Sequence, residues 1–233
     1  MQPWIKDFII KHRDLPPVEY PALPPGPVPE QFDWILQKSG MPWVEIQDLV
    51  VPYSTMLAEA QALRPLFVEH RSGDSLGWLS ISIHGVGAAI TSRAEDYGMD
   101  STLVKYDWTE IQDRCPVTVE FLKNQFPYNY YQRVRFMLLE AGGYIAPHSD
   151  NAMPSLGGAI NISLNNPDDC NLVTVKGCVP FRNSGSVFLY DNHYQHALYN
   201  NSNIDRYHMI IHGGWKPEWC KHVVNNYKRI LND

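Results

Sequence analysis

His148-Ser149-Asp150, followed by His196 and then by Arg206, is the set of residues in this chain most able to do chemistry. Two imidazoles and one carboxylate can fill one face of an octahedral ferrous ion and leave the other positions open. His148 and Asp150 stand at i and i+2, so an extended segment turns both to the same side. An arginine ten residues beyond His196 suits the far carboxylate of a bound diacid, which it can grip through two parallel N–H bonds. Together these groups predict oxidation by Fe(II), 2-oxoglutarate and O₂, with ascorbate as a further candidate reductant.

The triplet alone is weak, and the chain carries a decoy in His12-Arg13-Asp14. That one reads like a kinase catalytic loop, but no glycine-rich loop precedes it and it runs into Pro16-Pro17, so no chemistry is expected there. His193 competes with His196 for the third metal position. His196 leads into a strand candidate and is preferred, leaving His193 for hydrogen bonding or the substrate side. A hairpin across NNSNID is expected to bring Arg206 beside it. Arg206, His208 and Ile210 share one strand face, and an arginine among apolar neighbours needs a carboxylate partner. The functional reading is the C5 carboxylate of 2-oxoglutarate, with His208 as a second contact; the alternative is an internal salt bridge. Asn161 is a candidate polar contact to cosubstrate or substrate, its alternative a backbone-satisfied inward side chain. Arg133 and Arg135 share a face and form a candidate clamp for an anionic substrate, or else an exposed edge pair. Trp78, Trp108, Tyr130, Tyr131 and Trp215 read as core. Gly85-Val86-Gly87 lacks the third glycine of a dinucleotide loop.

These residues need a scaffold, and the pattern supplies one. Residues 1–14 suit a short helix. Residues 15–29 hold seven prolines, which exclude helix and central strand and predict an extended arm. Residues 53–68 have helical spacing with Ser54 as N-cap and Pro65 as a stop or kink. Strand alternation follows at 77–85, then a short helix at 117–125. Short strand candidates come next at 131–140, 144–147, 158–165, 171–176, 186–191, 195–199 and 205–212. Gly142-Gly143 is read as a tight turn before the metal triplet. Helices ahead of about eight short strands predict a mainly β fold with flanking helices (α+β), an antiparallel barrel or jelly roll. Residues 217–231 suit a closing helix. The expected organisation is an N-terminal extension (1–75) packed on the core, a β core (76–216) and the C-terminal helix (217–233). The arm or the N-terminal helices are expected to shape the cavity mouth.

Composition narrows the partners. The net charge is −6 and no Lys/Arg block occurs, which argues against nucleic acid and against an anionic membrane. No apolar run reaches the ~20 residues that span a bilayer, and the N-terminus does not read as a secretory signal. The four cysteines lack CxxC spacing and are expected to be free, buried thiols of a cytoplasmic protein. Oligomeric state is not legible.

RVRFMLLEAGGYIAPHSD, GGAINISL and GSVFLYDNHYQHALYNNSNIDRYHMIIHGGWKPEW together resemble the aspartyl/asparaginyl β-hydroxylase family of Fe(II)/2-oxoglutarate oxygenases. The resemblance covers roughly residues 77–219. It implies a cupin-like double-stranded β-helix, with His148 and His196 on the metal histidines and Arg206 on the 2-oxoglutarate arginine. The family's vertebrate peptide hydroxylases carry glycine where this chain has Asp150, and an arginine near Ala159 that is missing here. The resemblance is therefore to the bacterial members that keep the full triad, and a retained Asp150 implies hydroxylation rather than halogenation. The expected substrate is a small amino acid or a peptidyl residue, oxidised at an unactivated C–H. Desaturation or cyclisation by the same cofactors, or a non-catalytic metal-binding module, are the alternatives.

Overall fold

A computed structural model describes residues 1–71, 73, 75–150, 152–181 and 184–232. Its organising element is one long strand, β5 (Tyr128–His148). Its first part pairs with β3 (Leu76–Gly85) on one side and β11 (Arg206–Trp215) on the other. Its last residues pair instead with β10 (His196–Asn200). Beyond β11 come β6 (Ile160–Ser163), β9 (Val187–Tyr190) and β1 (Trp43–Glu45); beyond β10 come β7 (Cys170–Thr174) and β8 (Gly177–Cys178). Short strands β2 (Val68–Glu69) and β4 (Asp107–Trp108) extend β3. Two antiparallel sheets thus share one strand and curl around a common interior, the double-stranded β-helix expected of the sequence.

The expected Gly-Gly turn is not a turn. Leu76 and Trp78 of β3 pair with Tyr144 and Leu139, so residues 140–143 bulge out while the strand passes from one sheet to the other. Gly142 adopts φ +75°. Gly143 packs so closely that a Cβ there would lie 2.7 Å from the Leu76 carbonyl oxygen. Side chains satisfy the bulged backbone. Asn200 Nδ2 donates to the Leu139 and Glu140 carbonyls at 3.2 Å, and Ala141 N–H to Asp205 Oδ1 at 2.9 Å. The expected hairpin also gives way, because β10 and β11 do not pair with each other: β11 pairs with the first part of β5, up to Leu139, and β10 with its last residues, from Tyr144. Residues 201–205 form an arch between sheets.

Helices close the outside. In α1 (Pro3–Arg13), proline opens the first turn and Lys11, His12 and Arg13 complement the C-terminal dipole. Its Ile5 and Ile9, one turn apart, pack on Ala146, Val173 and Ala197, each burial contributing about 2 kcal/mol. That contact props the second sheet from behind, next to the two metal-site strand ends. Helix α2 (Val28–Gln37) and β1 lie in sequence with no predicted element; Pro29 sits in the first helical turn, where its missing N–H costs nothing. Ser54 lies inside α3 (Tyr53–Ala62), whose N-cap is Pro52 with no side-chain cap. Helix α4 (Pro116–Asn124) is held by Glu59, which accepts from the Val117 and Thr118 amides. The last helix, α5 (Trp219–Ile230), packs on α2.

The Pro-rich arm is pinned rather than loose. Tyr20 Oη donates to the Trp43 carbonyl and Tyr227 Oη to that of Pro21. All four cysteines are free, but only Cys115 and Cys170 are buried; Cys178 and Cys220 are partly exposed. Among the described residues no helix is long and apolar enough to cross a membrane.

Candidate active site

A second bulge aims the metal triplet. Leu198 pairs with Ile145 and His196 with His148, so three steps along β5 match two along β10. Pro147 sits in that bulge, where a missing N–H is tolerated, and both Ile145 and His148 line the same cavity. Each histidine is oriented by its own backbone neighbourhood. His148 Nδ1 lies 2.8 Å from the Ala146 carbonyl, and His196 Nδ1 lies 2.9 Å from that of Tyr194. A carbonyl only accepts, so both Nδ1 atoms carry the proton and both Nε2 lone pairs are free.

Those lone pairs converge. The Asp150 carboxylate lies 3.7 Å from His148 Nε2 and 3.8 Å from His196 Nε2. Among the described residues this is the one His/Cys/Asp/Glu group placed to hold a metal ion, its ligand atoms all within 4.8 Å of one another. Burial pushes His196 down to about 4, helped by His148, so it is a neutral donor at physiological pH. Burial acts to raise Asp150, but His196 and Arg71 outweigh it and hold the carboxylate at about 2. Arg71 Nη1 donates to Asp150 Oδ1 at 2.8 Å, and Asn192 Nδ2 to Oδ2 at 3.3 Å. The donor set is two imidazoles plus an ionised, outer-braced carboxylate, which fits Fe(II).

The cavity beside it has a volume of about 210 Å³. That is below the roughly 300–1,000 Å³ common for drug-sized ligands, so what it encloses must be small. Arg206, His208 and Ile210 of β11 all line it, as do Asn161, Arg133 and Arg135. Arg206 is 1% exposed. Its Nη1 donates to His208 Nδ1 at 2.8 Å and its guanidinium lies over the Phe181 ring. No described carboxylate pairs with it, and its Nε has no hydrogen-bond partner. The internal salt bridge that the sequence left open is thus not formed among the described residues. Burial, reinforced by Arg206, pushes His208 well down, so it stays neutral.

Arg135 is buried on β5, between two neighbouring strands, and Arg133 is half-buried beside it. Neither is an exposed edge residue. His193 does not line the cavity; its amide caps Asp191 and its ring rests on Tyr194. Nor does any residue before His70, so neither the arm nor the first helices shape the interior. The decoy lies elsewhere: His12 bonds back to Phe8 on α1, and Arg13 pairs with Asp14 at the surface.

Other residues arrive that sequence reasoning missed. Trp78, read as core, lines the cavity with its indole N–H unpartnered. The signal was the second face of β3, where Trp78, Ser80 and Ser82 alternate with the apolar positions. Ser80 Oγ lies 2.9 Å from His70 Nδ1, and Tyr190 and His212 complete the wall.

A family model described as aspartyl/asparaginyl beta-hydroxylase matches residues 52–217, well over half the chain. The chain belongs to that family. The hydroxylase's His148, Asp150 and His196 are placed to hold a metal ion, and the cavity beside them is lined by a buried arginine with no counter-charge among the described residues. Several solved structures are similar to it. An oxidoreductase of the 2OG-Fe(II) oxygenase family from Burkholderia pseudomallei is 13% identical, with 83% of this chain and 95% of that one covered and a TM-score of 0.46. A Pseudomonas putida prolyl-4-hydroxylase is 13% identical, with 78% and 95% covered and a TM-score of 0.43. A Trichoplax adhaerens prolyl hydroxylase, solved with a hypoxia-inducible-factor peptide fragment, is also 13% identical, with 73% and 82% covered and a TM-score of 0.42. At those scores the likeness carries no argument about this hydroxylase. No curated protein matches its sequence.

Proposed function

We propose that this hydroxylase oxidises an unactivated C–H of a small amino acid, an amino-acid derivative or a single peptidyl residue. His148, Asp150 and His196 are the metal ligands in this reading, and Arg206 with His208 takes the C5 carboxylate of 2-oxoglutarate. Arg206 is the observation that carries it. A fully buried cation with an idle Nε needs an anionic partner, and a diacid reaching from the metal supplies one. Arg71 and Asn192 each hold one oxygen of Asp150, which keeps the carboxylate ionised and fixes its orientation toward the two imidazoles. Asn161 offers a neutral contact to cosubstrate or substrate, and Arg133 and Arg135 anchor the substrate's acidic group.

When bound, Fe(II) with 2-oxoglutarate supplies O₂ activation and removal of the substrate hydrogen. The protein's share is position, charge and exclusion of bulk water. The free thiols support a reducing, cytoplasmic location, and the size of the cavity supports a small-molecule substrate or one inserted side chain.

The test is anaerobic addition of Fe(II) and 2-oxoglutarate, followed by O₂. The reading expects a weak visible charge-transfer band. It then expects succinate release and a product heavier by one oxygen atom when a substrate panel of amino acids and short peptides is supplied. Absence of both the band and succinate would overturn it.

A further inference from the structure

Resting on that reading of the cavity, its charge balance points further, to the substrate. Five guanidinium groups line it, those of Arg71, Arg93, Arg133, Arg135 and Arg206, against one carboxylate among the described residues, Asp150. Asp150 is already committed to the metal site and to Arg71, and Arg206 to the cosubstrate. A ferrous dication and a 2-oxoglutarate dianion cancel each other, so filling the site with both leaves the imbalance untouched. Arg93, Arg133 and Arg135 remain.

Arg135 is the most demanding of the three. Its side chain is buried, and its Nη1 donates to the Thr91 carbonyl at 2.6 Å. Its Nε finds no acceptor. Neither Arg133 nor Arg135 forms an ion pair among the described residues. Opposite them in register, Ile210 and His212 line the same wall, and His212 Nδ1 and Trp78 Nε1 are also unpartnered. Buried cations without counter-ions are costly until a ligand brings the charge. A free ammonium meets the opposite difficulty, since no described acid of the lining is left to receive it.

We infer that the substrate is a small dianion with no free ammonium group, an acid whose amine is acylated or absent. Arg133 and Arg135 hold it, with Arg93 at the exposed end. Unmodified α-amino acids are therefore poor ligands of this cavity, and a lone internal acidic residue of a peptide supplies only one of the two charges.

Calorimetry on the Fe(II)- and 2-oxoglutarate-loaded protein under argon tests this without turnover. Three probes separate the charges: N-acetyl-L-glutamate (two negative groups, no ammonium), L-glutamate (the same acids plus ammonium) and N-acetyl-L-glutamine (one acid). The expected result is that N-acetyl-L-glutamate binds about tenfold or more tightly than either of the others. Arg133→Gln, and separately the exposed Arg93→Gln, should each weaken that binding about tenfold while 2-oxoglutarate affinity holds. Equal or tighter binding of L-glutamate or N-acetyl-L-glutamine overturns the inference, as does failure of all three to bind. Titrating 2-oxoglutarate first separates the two claims. If it does not bind while the probes still rank as expected, the cosubstrate reading falls and the substrate inference stands.

Discussion

Arg206 makes opposite demands on stability and on binding. Buried without a carboxylate, it burdens the empty protein; matched to a diacid, it forms a charge-assisted contact that loses ~1.5–3 kcal/mol when cut. Arg206→Met should therefore leave the melting temperature of the ligand-free protein equal or higher, while weakening 2-oxoglutarate about tenfold to a hundredfold. Thermal melts with and without 2-oxoglutarate check both halves, because only a chain that binds the diacid gains stability from it. A variant that melts lower without ligand would make Arg206 a structural residue. His148→Ala and Asp150→Ala should each abolish succinate formation, whereas Asp14→Ala, in the surface decoy, should leave it near normal. The triad and Arg206 were legible because their types and spacing have few other uses. Arg71 was not, since it reaches Asp150 from a connection 79 positions earlier, and nothing local marks such a partner.

Strand β5 carries the site at the level of elements, because its two bulges decide which sheet it joins and which way His148 points. The sequence showed both halves of this strand and the Gly-Gly between them, but not that they are continuous. A turn and a bulge ask for the same glycines, and only the partners on β3, β10 and β11 distinguish them. Helix α2 and β1 escaped for a related reason: prolines that forbid a helix interior are welcome in a first turn, and a three-residue strand leaves no period to detect. Gly143 offers the sharpest test. A methyl group there meets the Leu76 and Glu140 carbonyl oxygens at 2.7 and 2.9 Å, which are backbone atoms that cannot swing aside. Gly143→Ala should cost about 2–3 kcal/mol and weaken Fe(II) binding by tilting His148. Gly142→Ala, with open space around it but a left-handed φ, should cost only about 1 kcal/mol. Denaturant melts of the two variants give the comparison, and equal costs would show that the bulge is plastic.

The whole molecule is acidic, with a net charge of −6, yet its cavity is cationic and the histidines buried around it have their pKa values pushed down. Burial drives His70 down to about 2 from an ordinary 6.5, with Arg135 and Arg71 adding to the shift. Burial likewise pushes His208 and His212 well down, and His84 down, from the same starting value. In the unfolded chain these imidazoles, with that of His196, take up protons near pH ~6.5; in the folded chain they do so only at lower pH. Between those limits the unfolded state binds more protons, so stability rises with pH there and falls as pH drops. Metal-free protein should hold a flat melting temperature above about pH 7 and lose it steadily toward about pH 5, before carboxylates titrate. His212→Gln removes one of these imidazoles and should shallow that slope by up to one proton. A melting temperature unchanged across this range would mean that the folded protein protonates these histidines, which their burial opposes.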